Sequence, residues 1–453
     1  QVIFLALVLW AAAVPNADEV TQLEYAYSTG QLTTSNWFMS SMGNGVDKYS
    51  ECAGLSVDLG SAGFADRVRN VLWDREVSGC GALQRLVLGH STQAGTTPRT
   101  TAPLPVGRQP TEPYPEFRYW NGYTVLERPL VAWFGLATAR VVVAALMIGS
   151  LIFLAATVGK AAGWVGGAAL IVPLLFTTDL PDLPQSLNHA ISMSALLVGA
   201  AGVAAVVMKK GPRPVWLAGA AMLSGALYSY LDVLLTPPLA LGLTVAAAAL
   251  SAYQFPPTDR RSSQLAFISF VAGAAWVAGW ALTWATKWLV SAVLFGPSFV
   301  SQMVGGEVTR RLDGAENGTV DLKFGAATRL NLVAWLSSPI HIYIILACTG
   351  LAILFMLVGV ARYRWAGLRE MALLFAPGLL PFAWFEALRN HSEIHSTFTY
   401  RSLALTLGLA MAATACVALR GHVAKLASAC QRSSRLSQEA DPTVRPAPSR
   451  LRA

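Results

Sequence analysis

Residues 141–158 read VVVAALMIGSLIFLAATV, and this stretch decides the fold because it contains no charged side chain. An α-helix rises about 1.5 Å per residue, so a run of this length crosses most of the roughly 30 Å of hydrocarbon in a bilayer. The segment therefore predicts a membrane-spanning helix.

The composition of the whole chain of 453 residues agrees with that prediction. Hydrophobic residues make up 54% and charged residues 13%, which is roughly half the charged fraction of a typical soluble protein. The net charge of +8 would suit nucleic-acid binding, but much of the excess lies in short connections between apolar blocks and in the C-terminal region. That distribution is the one that orients membrane proteins, so we expect no nucleic acid among the partners.

Nine apolar blocks follow a short first run at residues 1–14. Their limits are 137–158, 163–178, 189–208, 214–234, 237–254, 264–287, 338–361, 368–387 and 400–419. The pattern predicts an all-α integral membrane protein with about ten transmembrane helices. We expect a truncated first helix at 1–14, for which a signal-peptide core is the alternative. An outer region at 15–136, a nine-helix region at 137–419 and a basic, disordered cytoplasmic tail at 420–453 would follow.

Lysine and arginine occupy every second connection between the blocks, whereas the connections near residues 180 and 235 contain neither. The basic connections are those of Lys160, of Lys209, Lys210 and Arg213, of Arg260 and Arg261, and of Arg362, Arg364 and Arg369. The positive-inside rule then predicts a multi-pass protein of the inner (plasma) membrane with both termini in the cytoplasm. Cys52 and Cys80 would share the outer region, where a disulfide between them is possible.

Two carboxylates, Asp18 and Glu19, follow the first apolar run. A carboxylate at the edge of a membrane is costly unless it is solvated or has a task. The alternative to a functional role is a solvated helix start, because acidic side chains are favourable near a helix N-terminus.

A second polar group lies in NHSEIHSTFTYR, residues 390–401, between the last two blocks. His391, His395 and Arg401 have the chemistry to bind and protonate a phosphate. A zinc site and a simply solvated turn are the alternatives.

Further candidates lie near the predicted outer ends of other blocks. They are Asp232, Lys287 and His189, together with Tyr119 and Trp120 in the aromatic segment RYWNGY at 118–123. Each has a structural alternative as an interfacial anchor, since aromatic and long basic side chains gather where a membrane meets water.

The large first outer region, the many spans and the Asp18-Glu19 pair after the first span resemble the GT-C superfamily of membrane glycosyltransferases. The resemblance implies a GT-C-like fold with Asp18 or Glu19 as the catalytic base. It also implies a polyprenyl-phosphate sugar donor and a glycan or lipid-linked acceptor. Lys287, His391, His395 and Arg401 would then bind the donor phosphate, and Asp232, His189, Tyr119 and Trp120 would contact substrate. No metal-ligand spacing is found, and a divalent metal is left open as a cofactor.

Two other classes of function compete with the glycosyltransferase. A transporter or flippase for a lipid-linked sugar would need ionisable groups deep inside the spans, and the predicted spans contain almost none. An accessory membrane subunit without catalysis would use the long outer region to bind a partner.

Overall fold

A computed structural model describes residues 1–57, 59, 63–73, 75–76, 79–93, 114–115, 119–253, 255, 261–298, 300–302, 304–306 and 323–420. The predicted basic tail beyond Arg420 and the first residue of the aromatic segment, Arg118, lie outside these residues. Helices account for most of the described chain, which confirms the all-α class. The sheets are two short antiparallel pairs, Trp37–Met39 with Gly45–Asp47 and Arg75–Glu76 with Tyr114–Pro115.

The helices of the outer region and of the bundle are numbered in chain order. Helix α1, Val2–Ala12, corresponds to the predicted first helix. Residues 15–136, for which we keep the name outer region from the prediction, contain α2 Asn16–Ser28, α3 Tyr49–Ser56, α4 Phe64–Trp73 and α5 Cys80–Gln93. The first bundle helices are α6 Thr124–Ala162, α7 Trp164–Phe176, α8 Leu187–Lys210, α9 Pro214–Leu231, α10 Pro237–Ala252 and α11 Arg261–Phe295. The later ones are α12 Ala326–Trp335, α13 Pro339–Phe375, α14 Leu380–Ala387, α15 Arg389–Ile394, α16 Ser396–Thr399 and α17, residues 403–420.

Five stretches of the described chain are long and apolar enough to cross a membrane. They are Thr124–Ala162, Leu187–Lys210, Arg261–Phe295, Pro339–Ala387 and Ser396–Arg420. Helices α1 and α2, bent by 69° at their junction, make a sixth if the pair counts as one span. These helices support a membrane protein, but they are fewer than the ten spans that the sequence predicts.

The difference arises from two short helices, from α9, which has 18 residues but is not among the candidates, and from two blocks that share one candidate. Helices α7 and α10 have 13 and 16 residues, so they extend only about 20 and 24 Å. The blocks at 338–361 and 368–387 fall within one candidate, Pro339–Ala387, although they belong to two helical arms that meet at a break at Arg364, whose φ is +51°. The basic connection predicted at residues 362–369 is therefore the sharp bend between the two arms, where a Cβ at Gly367 would lie 3.2 Å from the carbonyl oxygen of Gly359.

The outer region is more ordered than the mixed polar character of its sequence indicates. A disulfide between Cys52 and Cys80 joins α3 to α5, with their Cα atoms 4.9 Å apart. A break at Gly135, whose φ is +78°, separates the start of α6 from its long apolar part. A Cβ at this position would lie 2.9 Å from Gln22 Oε1, so glycine allows both the bend and the close approach of α2.

Glycines also bring the bundle helices together. A Cβ at Gly225 of α9 would lie 2.1 Å from the carbonyl oxygen of Trp276, and one at Gly279 of α11 would lie 2.0 Å from that of Met222. Backbones that approach so closely increase van der Waals contact, which is the main source of helix association in lipid.

The bundle has two polar ends. We call the end that contains His189, His341 and Arg401 the histidine end, and the end that contains Arg261, Glu370 and Arg420 the arginine end. Helix α8 has His189 in its first turn and Lys209 and Lys210 in its last, and its 24 residues span about 36 Å. The two polar ends are therefore separated by about the thickness of a bilayer.

Candidate functional site

A chain of side chains at the histidine end runs from Asp47 through His189 to Arg401. Arg401 Nη1 donates to His189 Nδ1 at 3.0 Å, and His189 Nε2 lies 3.5 Å from Asp47 Oδ2. A guanidinium can only donate, so Nδ1 bears no proton and the neutral imidazole presents its Nε2–H to Asp47. The chain therefore fixes the orientation of the guanidinium.

Asp47 is held in place by the turn that precedes α3. Its Oδ1 accepts the backbone N–H of Tyr49 at 2.8 Å, and its Oδ2 accepts the hydroxyl of Ser50. Burial by itself would raise the pKa of Asp47, but hydrogen bonds from His189 and Ser50 hold that pKa below its usual value. Asp47 is consequently ionised at neutral pH.

Two N–H groups of Arg401 are not used in hydrogen bonds within the described protein. Its residue is 2% exposed, and its Nε and Nη2 atoms have no hydrogen-bond partner among the described residues. Leaving buried N–H groups of a charged side chain unpaired costs free energy, which a ligand with acceptor oxygens would recover. Two adjacent guanidinium N–H groups match the spacing of oxygens on a phosphate or carboxylate.

A second aspartate–histidine pair lies beside the first. Asp179 is fully buried and adopts a left-handed conformation with φ +53°. Its Oδ1 accepts the Ser40 hydroxyl at 2.8 Å, its Oδ2 accepts the Tyr400 hydroxyl, and His341 Nε2 lies 3.8 Å from Oδ1. A left-handed non-glycine residue inside a polar cluster is a form of backbone strain that is found at functional sites.

The two pairs share both of the segments that assemble them. Tyr400 contacts Asp179 and its neighbour Arg401 contacts His189. On the hairpin of residues 37–47, Asn44 Nδ2 lies 3.1 Å from His341 Nδ1, and Asp47 faces His189. Arg401 is also within electrostatic range of His341. The two aspartate–histidine pairs therefore form one site, which we call the Arg401 site.

A buried ion cluster anchors the hairpin to the bundle. Glu51 accepts from Lys48 Nζ at 2.6 Å and from Arg140 Nη2 at 2.9 Å. Burial would raise the pKa of Glu51, but the charges of Lys48 and Arg140 outweigh it and lower that pKa. Lys48 also donates to the carbonyl of Gln185, just before α8, so the cluster fixes Asp47 relative to His189.

Three of the predicted phosphate-binding or substrate-contacting residues, His189, His391 and His395, surround Phe398. The ring centroids of His189, His391 and His395 lie 5.5, 6.4 and 5.0 Å from that of Phe398. His391 Nε2 is 3.0 Å from the carbonyl oxygen of Leu234. Residues 390–401, which were predicted to form a polar group at helix ends, thus lie together in the structure, and Arg401 contacts His189.

Other predicted residues hold α11 and the outer region together, away from Arg401. Lys287 is fully buried, donates to the carbonyl of Leu72 at 2.9 Å and lies 5.6 Å from the ring centroid of Trp120. Trp120 Nε1 donates to the Thr283 carbonyl at 2.8 Å, and Tyr119 packs edge-on against Trp284. These contacts give the three residues a structural role.

The remaining predicted carboxylates have different surroundings. Asp18 is exposed in the first turn of α2, whereas Glu19 is fully buried, 3.4 Å from Arg128 Nη2. Asp232 is buried at the end of α9, where its Oδ2 accepts the backbone N–H of Leu235 at 3.0 Å. Of the three, only Asp18 is open to solvent.

An apolar groove of about 290 Å³ opens beside the histidine end, between α10, α11 and α14. Its lining residues are Pro237, Pro238, Leu241, Trp276, Val277, Trp280, Leu380, Ala383, Trp384 and Ala387. Pro237 is three residues from Leu234, the partner of His391, and Ala387 is four residues from His391 itself. The groove therefore ends near the cluster around Phe398.

Comparisons with known proteins identify no relative from which the role of the Arg401 site could be transferred. No protein-family model, curated protein or solved structure matches the chain. Within the described residues, no group of three or more His, Cys, Asp or Glu side chains is arranged to hold a metal ion.

Sequence reasoning missed Asp47, Asp179, His341 and Tyr400. Asp47 lies in the short sequence GNGVDKY, which looks like an ordinary turn, and Asp179 lies in a connection without basic residues. His341 had one usable signal, because it is a histidine in the first turn of an apolar block. Nothing in the sequence pairs these residues with His189 and Arg401.

Proposed function

We propose that this protein is a membrane glycosyltransferase that takes a sugar from a polyprenyl-phosphate donor, with the donor phosphate bound by Arg401. The observation that carries the proposal is the buried guanidinium, oriented by His189 and Asp47, whose Nε and Nη2 donors have no hydrogen-bond partner among the described residues. A site of this kind favours an anionic ligand with several acceptor oxygens.

The chemistry of sugar transfer needs such a group. When the bond between the anomeric carbon and the phosphate oxygen breaks, its electron pair remains on the phosphate, whose negative charge grows. Fixed N–H donors directed at those oxygens stabilise the transition state more than the ground state. Burial strengthens the effect and keeps water, a competing acceptor, away from the donor.

The isoprenoid tail of the donor fits the apolar groove between α10, α11 and α14. Trp276, Trp280 and Trp384 give the groove large apolar faces, and it ends near His391 and Phe398. A lipid in the groove would have its headgroup at the histidine end, which is where Arg401 lies.

We assign the proton acceptor to His341. His341 Nδ1 donates to the carbonyl oxygen of Trp335 at 3.1 Å, so Nε2 is unprotonated and accepts a proton. In the reaction the acceptor's O–H bond breaks, its proton passes to His341 Nε2, and its oxygen bonds to the anomeric carbon as the bond from that carbon to the donor phosphate breaks. Asp179 Oδ1, 3.8 Å from Nε2, stabilises the resulting imidazolium. Asp18, which the family resemblance suggests, is the competing base, and it is exposed on α2, outside this cluster.

We also propose that the histidine end faces the outside of the inner (plasma) membrane, with both termini in the cytoplasm. The disulfide between Cys52 and Cys80 supports this orientation, because disulfides persist on the oxidising side. The basic residues at the opposite end support it as well.

The test is a transfer assay with the full chain in liposomes, using polyprenyl-phosphate-linked hexoses and pentoses as donors. We expect the wild type to release polyprenyl phosphate in the presence of acceptor, and Arg401→Gln to lose at least about 100-fold in rate. Arg389→Gln is the matched control, since Arg389 directly precedes the same polar segment but pairs with Glu386. Flux of intact donor across the membrane without transfer would identify a flippase and contradict the proposal.

A further inference from the structure

A second apolar groove lies at the bend of α13, between the two arms of that helix and α17. Its volume is about 340 Å³. The lining residues are Thr349, Ala352, Ile353, Met356, Leu368, Met371, Ala372, Phe375, Leu407, Ala410, Ala413 and Thr414. The lining is almost wholly apolar, which suits a hydrocarbon chain.

Three exposed arginines, Arg362, Arg364 and Arg369, flank the bend. In the part of the chain that the structure describes, no carboxylate lies within ion-pair distance of any of them. Arg362 Nη1 donates to the carbonyl of Ala418 at 2.9 Å, which fixes it beside the end of α17. The bend therefore has a concentrated positive charge.

Glu370, which directly follows Arg369 in the sequence, does not neutralise this charge. Glu370 accepts two hydrogen bonds from Arg420 Nη1, at 3.1 and 2.9 Å, and one from the Tyr253 hydroxyl at 2.6 Å. Arg261 Nη1 is a further 3.7 Å neighbour of Glu370. With both of its oxygens engaged, Glu370 leaves the three arginines of the bend available to an anionic partner.

The charge and the groove adjoin each other. Leu368 and Met371 line the groove on either side of Arg369, and Met356 is six residues before Arg362, which is about 9 Å along a helix. Trp365, at the bend itself, is 81% exposed, and exposed tryptophan is favoured where headgroups meet hydrocarbon.

We infer that the bend of α13 is a binding site for an anionic phospholipid, with an acyl chain in the groove and the phosphate on Arg362, Arg364 and Arg369. Charge complementarity selects an anionic headgroup over a zwitterionic one, and a basic pocket between transmembrane helices is a known way to recognise such lipids. A free phosphate would have no hydrocarbon to place in the groove. The site is separate from the Arg401 site, because the 19 residues from Arg401 to Arg420 extend about 28 Å.

The experiment is native mass spectrometry of the full chain in detergent, titrated with phosphatidylglycerol or phosphatidylcholine of identical acyl chains. We expect phosphatidylglycerol to bind at least tenfold more tightly. The triple variant Arg362→Gln, Arg364→Gln, Arg369→Gln should lose that preference. The control triple variant Lys209→Gln, Lys210→Gln, Arg213→Gln removes the same charge from exposed positions at another connection and should retain it.

A groove variant tests the acyl chain separately, in case the arginine variant is poorly folded. Ala372→Trp places a large ring in the groove from an exposed lining position while leaving every arginine in place, and it should also weaken phosphatidylglycerol binding. Inorganic phosphate at millimolar concentration should not displace the lipid. Equal affinities for the two lipids, equal losses in the two triple variants, or unchanged binding by Ala372→Trp would overturn the inference.

Discussion

Arg401 donates a hydrogen bond to Nδ1 of His189 across 3.0 Å, although 212 residues separate the two along the chain. The bond requires an unprotonated Nδ1 and so sets the tautomer of the imidazole. It also occupies one guanidinium nitrogen and orients the others. The proposed binding of a donor phosphate depends on this relationship.

Loss of His189 should weaken donor binding without abolishing it. His189→Ala removes the support of Arg401 but keeps its charge, and removal of a comparable orienting partner costs about 10–100-fold in affinity. Asp47→Asn should reduce donor affinity less than His189→Ala does, because His189 keeps a polar neighbour at position 47. The dissociation constant of polyprenyl phosphate, measured in detergent, checks both variants. Asp47 acts on Arg401 only through His189. The affinity lost in the double variant, Asp47→Asn with His189→Ala, should therefore be smaller than the product of the two single losses.

His341 should affect the rate of transfer more than the binding of the donor. For His341→Gln we expect kcat to fall by about 100-fold or more, with the dissociation constant of the donor within about twofold of wild type. Asp18→Asn should leave kcat unchanged, because Asp18 lies on the exposed side of α2. The opposite pattern, with kcat lost in Asp18→Asn and retained in His341→Gln, would assign the base to Asp18.

The Lys48–Glu51–Arg140 cluster should make the protein sensitive to acid. The pKa of Glu51 is lower in the folded protein than its ordinary value, so its contribution to stability is fully present above about pH 5 and is lost as the pH falls through the folded-state pKa. Thermal unfolding from pH 7 to pH 3 in detergent should therefore show a falling Tm.

A Glu51→Gln variant isolates this effect. It leaves Lys48 and Arg140 buried without a carboxylate, and breaking a buried pair costs about 3–5 kcal/mol. We expect a lower Tm at pH 7 and a flatter dependence of Tm on pH than in the wild type. Parallel curves for the two proteins would show that Glu51 does not carry the acid sensitivity.

The disulfide should stabilise the outer region. Cys52 and Cys80 are 28 residues apart, and closing a loop of that size contributes roughly 3–4 kcal/mol. Reduction, or the double variant Cys52→Ser, Cys80→Ser, should lower the Tm. Cys348→Ser is the control, because Cys348 is a buried free thiol. An unchanged Tm after complete reduction would contradict this expectation.

Sequence reasoning succeeds here where the signal is local. Uncharged runs such as residues 141–158 identify the long helices, because the bilayer imposes length and composition on any helix that crosses it. His189 and Arg401 were identifiable for a related reason, since rare polar side chains at the ends of apolar blocks are costly and tend to have tasks. The helices of residues 16–93 were missed because short amphipathic segments with mixed polar character have no clear period.

The rest of the site depends on contacts between distant segments. Asp47 meets His189 only because Lys48 and Glu51 attach the hairpin to the bundle. Lys287, which the sequence suggested as a phosphate ligand, is instead buried on the carbonyl of Leu72. The bend at Arg364 coincides with the predicted basic connection of Arg362, Arg364 and Arg369, but the sequence does not show that the two arms enclose an apolar groove with α17.

A cryo-electron microscopy map of the full chain in lipid nanodiscs, with a polyprenyl-phosphate sugar bound, would show whether Arg401 binds the donor phosphate. The account predicts phosphate density within hydrogen-bond distance of Arg401 Nε and Nη2, with the isoprenoid tail in the groove lined by Trp276, Trp280 and Trp384. Phosphate density elsewhere, for example beside Lys287 or Asp18, with Arg401 contacting only protein, would contradict it.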